Sequence, residues 1–131
     1  MPEAKYTKDH EWVRLEEGSE ETAQIGIVGI TDFAQEQLGD IVFVELPEIG
    51  ITVQKGDETA TIESVKAASE FFTPVSGKIV HVNNSIIDEP GLINSDPLEV
   101  GWFFSLELTD PSELESLMDK KAYESFINSL S

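Results

Sequence analysis

Lys66 is the residue whose surroundings in the sequence point most clearly to chemistry. The chain has only eight basic residues, and this one lies isolated within Glu63-Ser64-Val65-Lys66-Ala67-Ala68-Ser69-Glu70, among small and weakly polar neighbours. An accessible lysine amine can be acylated, which removes its charge and lengthens its side chain. Small flanking residues leave room for a modifying enzyme to approach. These residues permit a modification site, but a lysine between acidic residues is more often only a solvated surface charge.

The segments on either side of Lys66 predict that it lies at the tip of a β-hairpin. Residues 58–65 alternate apolar and polar side chains, and residues 68–72 are also typical of a strand. No Gly or Asn marks the tip, although tight hairpins prefer these residues. A helix is therefore the alternative, because one helical face would carry Val65, Ala68, Ser69 and Phe72.

Composition excludes several other chemistries. Eight Lys and Arg stand against 26 Asp and Glu, and the net charge of −18 argues against nucleic acid and anionic membranes as partners. Without cysteine, disulfides, thiolate metal sites and cysteine nucleophiles are excluded. With two histidines and no visible set of acid, base and nucleophile, we predict neither a metal site nor a catalytic residue. No membrane helix or targeting segment is recognisable, so we expect a cytoplasmic location.

The rest of the chain predicts a small antiparallel barrel or sandwich with peripheral helices. Besides the hairpin, we expect strands at 10–15, 22–28, 41–46, 78–82 and 101–108. The strand at 41–46 is expected to be buried on both faces, and 16–21 is expected to be an acidic turn.

The helices are predicted from their end signals. A short helix over 33–38 ends at Gly39, and two helices follow Asp110-Pro111, where Asp is suited to the N-cap and Pro to the first turn. Glu113 lies three residues after Asp110, the position that completes a capping box. Residues 83–96 are expected to be mainly loop.

Several short blocks, spread from about Tyr6 to Phe126, together resemble one protein family. The block around the lysine is Glu63-Ser64-Val65-Lys66-Ala67. The other blocks are His10-Glu11-Trp12, Val28–Gln35, Leu38-Gly39-Asp40, Val44–Pro47, Pro74–Gly77, Val82-Asn83, Asn94–Pro97 and Gly101-Trp102. In this order and spacing they resemble the H proteins of the glycine cleavage system, which carry a lipoyl group.

The resemblance implies both a fold and a role. The implied fold is mainly β with peripheral α: a flattened barrel-sandwich hybrid of the lipoyl/biotinyl-carrier type, with a short internal helix and two C-terminal helices. It implies one domain over 1–131, with a barrel-sandwich core at about 10–108 and helices at about 110–130. Lipoic acid would be amide-linked to Lys66, in a carrier protein that is not itself an enzyme.

The resemblance also implies the partners. A pyridoxal-phosphate-dependent glycine decarboxylase would load an aminomethyl group onto the lipoyl arm. An aminomethyltransferase would pass the one-carbon unit to tetrahydrofolate, and dihydrolipoamide dehydrogenase would reoxidise the arm. Lipoylating enzymes would attach it. The dithiolane would supply the redox chemistry, which agrees with the lack of cysteine in the chain.

Further site residues follow from the same resemblance. Glu11 matches an acidic residue near the cleft that holds the loaded arm, where a carboxylate can pair with a cationic amine. The plain alternative is an exposed glutamate at the start of a strand. Recognition by the lipoylating enzyme is assigned to the residues around Lys66, namely Glu63, Ser64, Val65, Ala67 and Glu70.

Other functions stay open at this point. A relay that passes its lipoyl group to other enzymes is one candidate, since some proteins resembling H proteins have this role. A lipoyl or biotinyl domain of a 2-oxo acid dehydrogenase or carboxylase is another candidate, although such domains usually lack the His10-Glu11-Trp12 strand and the C-terminal helices. An acidic adaptor with unmodified Lys66 is the third.

Overall fold

The secondary structure comes from a computed structural model that describes residues 4–15 and 24–130; the acidic turn expected at 16–21 lies outside the described residues. The strands are β1 Lys5–Tyr6, β2 Glu11–Leu15, β3 Ile25–Ile30, β4 Ile41–Glu45, β5 Thr52–Val53, β6 Glu58–Ser64, β7 Ala68–Phe72, β8 Gly77–Val82 and β9 Phe104–Leu108. The helices are α1 Asp32–Leu38, α2 Asn84–Asp88, α3 Gly91–Ser95, a 3₁₀ helix at Pro111–Ser116 and α4 Lys120–Ser129.

The strands form two antiparallel sheets with the main core between them. The larger sheet has the order β1-β2-β3-β9-β8-β5, and the smaller has the order β4-β6-β7. The core is built from apolar side chains of both sheets, including Val13, Val28, Ile62, Phe71, Ile79, Phe104 and Leu106. The prediction of a mainly β fold with peripheral helices is confirmed, although the sheets do not close into a barrel in the described part of the chain. The assignment of residues 1–131 to one domain stays a prediction.

The predicted hairpin is present. β6 and β7 pair in antiparallel fashion, with Glu63 opposite Ala68. Ala60 and Ile62 are buried, as their alternation with polar neighbours predicts. The helical alternative for 65–72 is wrong, because strand pairing brings the apolar face of both segments onto the core.

Helix α1 begins and ends as its sequence signals predict. The Thr31 hydroxyl accepts a hydrogen bond from the Ala34 N–H at the N-cap. Gly39 ends the helix with φ of +80°, and its N–H donates to the Gln35 carbonyl. The chain then turns directly into β4, which pairs with β6 and so brings the end of α1 beside the hairpin tip.

The expectation that strand 41–46 is buried on both faces is wrong. β4 is an edge strand of the smaller sheet, and its register with β6 shifts between Ile41 and Phe43. Val42 and Phe43 are consequently 56% and 46% exposed. An unbroken run of apolar residues does not by itself show that both faces are covered, because coverage depends on the position of the strand in its sheet.

Two predictions about helices are also wrong. Residues 83–96, expected to be mainly loop, contain α2 and α3, each five residues long and too short to show a periodic pattern. Glu113 does not complete a capping box. Asp110 does cap the 3₁₀ helix by accepting from the Ser112 N–H, but the Glu113 carboxylate accepts from the Ser76 N–H and hydroxyl at 2.7 and 2.9 Å. Glu113 therefore fastens this helix to the start of β8.

Candidate functional site

Lys66 lies in the turn that joins β6 to β7, and its side chain is exposed. The Ser64 N–H donates to the Ala67 carbonyl at 2.8 Å and closes the turn. Among residues 4–15 and 24–130, no carboxylate forms an ion pair with the Lys66 amine. The structure therefore presents this amine at the apex of a rigid hairpin, as predicted.

The Ser64 hydroxyl holds the tip in place of the Gly or Asn that is missing there. It accepts from the backbone N–H groups of Lys66 and Ala67, both at 3.2 Å, and donates to the Ala67 carbonyl at 3.1 Å. Side-chain hydroxyls can mimic a backbone turn in this way. The sequence analysis assigned Ser64 to enzyme recognition and missed this role, although a serine two residues before the predicted tip is the signal that could have revealed it.

The end of α1 supports the tip from one side. The Val65 N–H donates to the Asp40 carbonyl at 3.0 Å. A Cβ atom placed on Gly39 would lie 3.0 Å from Cε and 3.5 Å from Nζ of Lys66, so the lysine stem lies against this glycine. In the sequence, Gly39 was identified only as a helix end, because the contact with Lys66 exists only in the folded chain.

The residues assigned to recognition surround the tip and point outward. Glu63, Val65, Ala67 and Glu70 are exposed, Val65 to 66%. The surface around the Lys66 amine thus carries two acidic side chains, Glu63 and Glu70, and one large apolar side chain, Val65. The role of these residues in recognition stays a prediction.

A cleft of about 180 Å³ lies between α1 and β7. Its walls are mainly apolar, and its lining includes three carboxyl groups. We call it the Glu11 cleft; it is lined by Asp9, His10, Glu11, Ile30, Ala34, Gln37, Leu38, Ile62, Ser69, Glu70 and Phe71. β7 forms one wall of the cleft. This strand begins next to the hairpin tip and ends about 13 Å away at Phe72, so the near end of the cleft is close to Lys66.

Glu11 is buried at the far end of this cleft. Its side chain is 4% exposed, and its carboxylate accepts from the Phe72 N–H at 2.9 Å and from the Thr7 hydroxyl at 3.2 Å. The alternative of an ordinary exposed glutamate is therefore wrong. The pKa of Glu11 is raised to about 8, chiefly by burial and with a smaller contribution from the Asp9 charge, against the lowering effect of the two hydrogen bonds.

These properties define what the cleft can do chemically. Near neutral pH the raised pKa keeps much of the Glu11 carboxyl protonated and uncharged. A cation that enters the cleft stabilises the ionised form and forms a charge-assisted hydrogen bond with it. The apolar walls lower the local dielectric around that pair, which strengthens it.

A groove of about 540 Å³ lies on the outer face of the larger sheet and is lined by Arg14, His81, Trp102 and their neighbours, none of which is a predicted site residue. In the described ranges, no three His, Asp or Glu side chains converge as metal ligands. None of the helices described here is long and apolar enough to cross a membrane.

Comparison with known proteins assigns the family. The family model for the glycine cleavage H-protein matches residues 4–130. This chain belongs to the glycine cleavage H-protein family. The resemblance seen in the sequence blocks is thereby confirmed.

Relatives within the H-protein family match the chain almost from end to end. A glycine cleavage system H protein of Methylocella silvestris is 53% identical over 99% of both chains, and one of Escherichia coli is 54% identical over 95% of this chain and 93% of the relative. A crystal structure of a glycine cleavage system H protein from Mycobacterium marinum superimposes with a TM-score of 0.85 at 39% identity, covering 96% of this chain and 97% of the other. The fold of the two sheets is therefore that of the lipoyl-carrying H proteins.

Proposed function

We propose that this protein is the lipoyl carrier of a glycine cleavage system and that lipoic acid is amide-linked to Lys66. The observation that carries the proposal is the exposed amine at the apex of the β6–β7 hairpin, in a chain that belongs to the H-protein family. The proposal makes the protein a carrier and not an enzyme. Its cytoplasmic location stays a prediction.

The residues around Lys66 fit such a group. The hairpin tip is fixed by Ser64 and braced by Asp40, so a long flexible arm is attached to a rigid base. Gly39 has no side chain where the lysine stem passes it, and Ala67 is small and exposed. The Glu11 cleft opens next to this base and offers a sheltered place for the end of an arm.

The chain's own residues would hold and shelter what the arm carries. The lipoyl group, when attached, supplies a dithiolane for redox and group-transfer chemistry. Leu38, Ile62 and Phe71 provide an apolar lining in the cleft. Glu11 supplies the one buried carboxyl there, and after releasing its proton to solvent it would pair with a cationic amine held in the cleft.

The proposed partners are glycine decarboxylase, aminomethyltransferase, dihydrolipoamide dehydrogenase and the lipoylating enzymes. Membership of the family supports interaction with the other components of the system. The net charge of −18 favours docking onto basic surfaces of these proteins. The exposed ring of residues around Lys66 is the proposed contact of the lipoylating enzyme.

Lipoylation of variants tests the site. The wild type, Lys66→Arg and Lys78→Arg are incubated with a lipoylating enzyme and weighed by intact-protein mass spectrometry. Lys78 is exposed on β8, away from the hairpin tip, and is the matched control. The wild type and Lys78→Arg should gain one lipoyl mass, whereas Lys66→Arg should gain none. If Lys66→Arg is modified, the site is wrong.

Partner enzymes separate this function from its rivals. The lipoylated protein should support the glycine-dependent reactions of the decarboxylase and aminomethyltransferase. Activity only with 2-oxo acid dehydrogenase components would instead support a lipoyl domain of that class. Transfer of the lipoyl group to other enzymes would support a relay, and full cellular activity of Lys66→Arg would support an adaptor. The family assignment favours the first outcome.

A further inference from the structure

His10 adopts a backbone conformation that is unusual for its residue type. Its φ is +67°, and apart from glycines it is the only residue with positive φ in the described ranges. Side chains disfavour this conformation, so it persists where surrounding contacts enforce it, and such positions cluster at functional sites. The next residue in the chain is Glu11.

This conformation is held within its own loop, where the His10 N–H donates to the Thr7 carbonyl at 3.2 Å, and by contacts from α1 and α4. The His10 ring nitrogen Nδ1 lies 2.8 Å from the Tyr123 hydroxyl, which lies 2.7 Å from the Thr31 hydroxyl. The His10 ring also packs against Phe33, with 4.5 Å between ring centroids. The His10 carbonyl accepts from the Thr31 N–H at 3.0 Å. Thr31 and Tyr123 are themselves buried, at 2% and 5% exposure.

The bend at His10 sends consecutive side chains in two directions. His10 contacts the helices, whereas Glu11 reaches Phe72 on β7, 61 residues away in the sequence. We propose that His10 and Tyr123 are positioning residues that fix this bend and thereby hold the Glu11 carboxyl in the cleft. The C-terminal helix α4 then influences the position of Glu11 in the cleft through the hydroxyl of Tyr123. The proposal rests on the proposed role of Glu11.

The groups around Glu11 determine how the effect of His10 and Tyr123 on the Glu11 carboxyl can be measured. The titratable groups that face it are Asp9 and His10 from its own loop and Glu70 from β7. The parts of α1 and β6 that line the cleft contribute only neutral side chains. Tyr123→Phe keeps all of these groups but removes the hydroxyl that contacts His10 Nδ1, so the titration of His10 is followed beside that of Glu11. It also keeps the ring that stacks on Tyr6, with 4.7 Å between centroids.

The test is the titration of the Glu11 carboxyl by ¹³C NMR in the full chain without lipoate, with Glu11→Gln to assign the signal. In Tyr123→Phe the carboxyl should gain water, and the pKa of Glu11 should fall by about one unit. Tyr6→Phe removes a hydroxyl from the neighbouring ring of the stack and should leave the titration unchanged. An unchanged titration in Tyr123→Phe would overturn the proposal.

Two variants of His10 keep the test decisive if Tyr123→Phe fails to fold. Asn tolerates positive φ better than Ala, so His10→Asn should stay closer to the wild-type titration than His10→Ala. Equal behaviour of these two variants would contradict the role of the bend. Because the chain carries no lipoyl group in this experiment, its result is independent of whether Lys66 is lipoylated or of which enzymes the carrier serves.

Discussion

The buried carboxyl of Glu11 lowers the stability of the folded protein at neutral and higher pH, although its position suits it to bind a cation. Burial of a carboxyl disfavours its charged form, and in this protein burial outweighs two hydrogen bonds that favour it. Between pH 4.5 and about 8 the folded chain keeps a proton on Glu11 that the unfolded chain has lost. Stability must therefore fall as the pH rises through this range.

Glu11→Gln should remove this pH dependence. Glutamine is uncharged at every pH, and its carbonyl can still accept from the Phe72 N–H. Below pH 4.5 the variant and wild type should be similar in stability. By pH 8.5 the variant should be more stable by about 5 kcal/mol, the value of a pKa raised from 4.5 to about 8. Urea unfolding at a series of pH values measures this difference.

Glu63→Gln is the matched control, because Glu63 is exposed beside the hairpin tip. The difference in free energy of unfolding between Glu63→Gln and wild type should not change across the same pH range. A constant difference between Glu11→Gln and wild type from pH 4.5 to 8.5 would show that Glu11 has an ordinary pKa.

At the scale of elements, the contact between α1 and the β6–β7 hairpin sets the position of Lys66. Gly39 is central to this contact, since its positive φ ends the helix and its missing side chain leaves room for the lysine stem. The tip and the helix end are further linked through the Val65 N–H and the Asp40 carbonyl. The lysine is therefore presented by two elements and not by the hairpin alone.

Gly39→Ala should both destabilise the protein and impair lipoylation. Gly39 has φ of +80° and ψ of −159°, a conformation that residues with a side chain avoid, so alanine there costs about 1–3 kcal/mol, and the new Cβ would lie 3.0 Å from Cε of Lys66. Gly50→Ala is the control: Gly50 has φ of +100°, but a Cβ there meets nothing within 4 Å. Both variants should lose stability in urea unfolding, and only Gly39→Ala should be lipoylated more slowly. Equal lipoylation rates would contradict the role of this contact.

The elements near the site differ in how well the sequence predicts them. The hairpin follows from alternation in Glu58–Ser64, which is a local pattern. Helices α2 and α3 leave no comparable pattern, because five residues are little more than one turn. The burial of Glu11 cannot be predicted from the neighbouring sequence either. Its carboxylate accepts a hydrogen bond from the Phe72 N–H, which belongs to a strand far away in the sequence. The local sequence pattern thus predicts the hairpin that carries Lys66 but not the cleft beside it.

At the scale of the whole molecule, charge is the dominant property. With a net charge of −18, the chain repels polyanions and is attracted to basic protein surfaces over a distance set by the ionic strength. A carrier that must visit several enzymes in turn benefits from fast association and weak binding. Long-range attraction combined with a small contact area around the hairpin tip would provide both.

Salt should slow the loading of the carrier at subsaturating concentrations. Raising the ionic strength to about 0.5 M screens long-range attraction and should lower the apparent second-order rate constant with the decarboxylase. Stopped-flow or initial-rate measurements at several NaCl concentrations determine this constant. The rate at saturating carrier should change much less. A second-order rate constant that does not vary with salt would show that charge does not guide this encounter.

The most direct test of the carrier role is the accurate intact mass of the protein purified from its own host, followed by peptide mapping. The expected result is a population whose mass exceeds that of the bare chain by one lipoyl amide, with the addition on the peptide that contains Lys66. An unmodified mass in cells that are actively cleaving glycine, or a lipoyl group on any other lysine, would contradict the central claim.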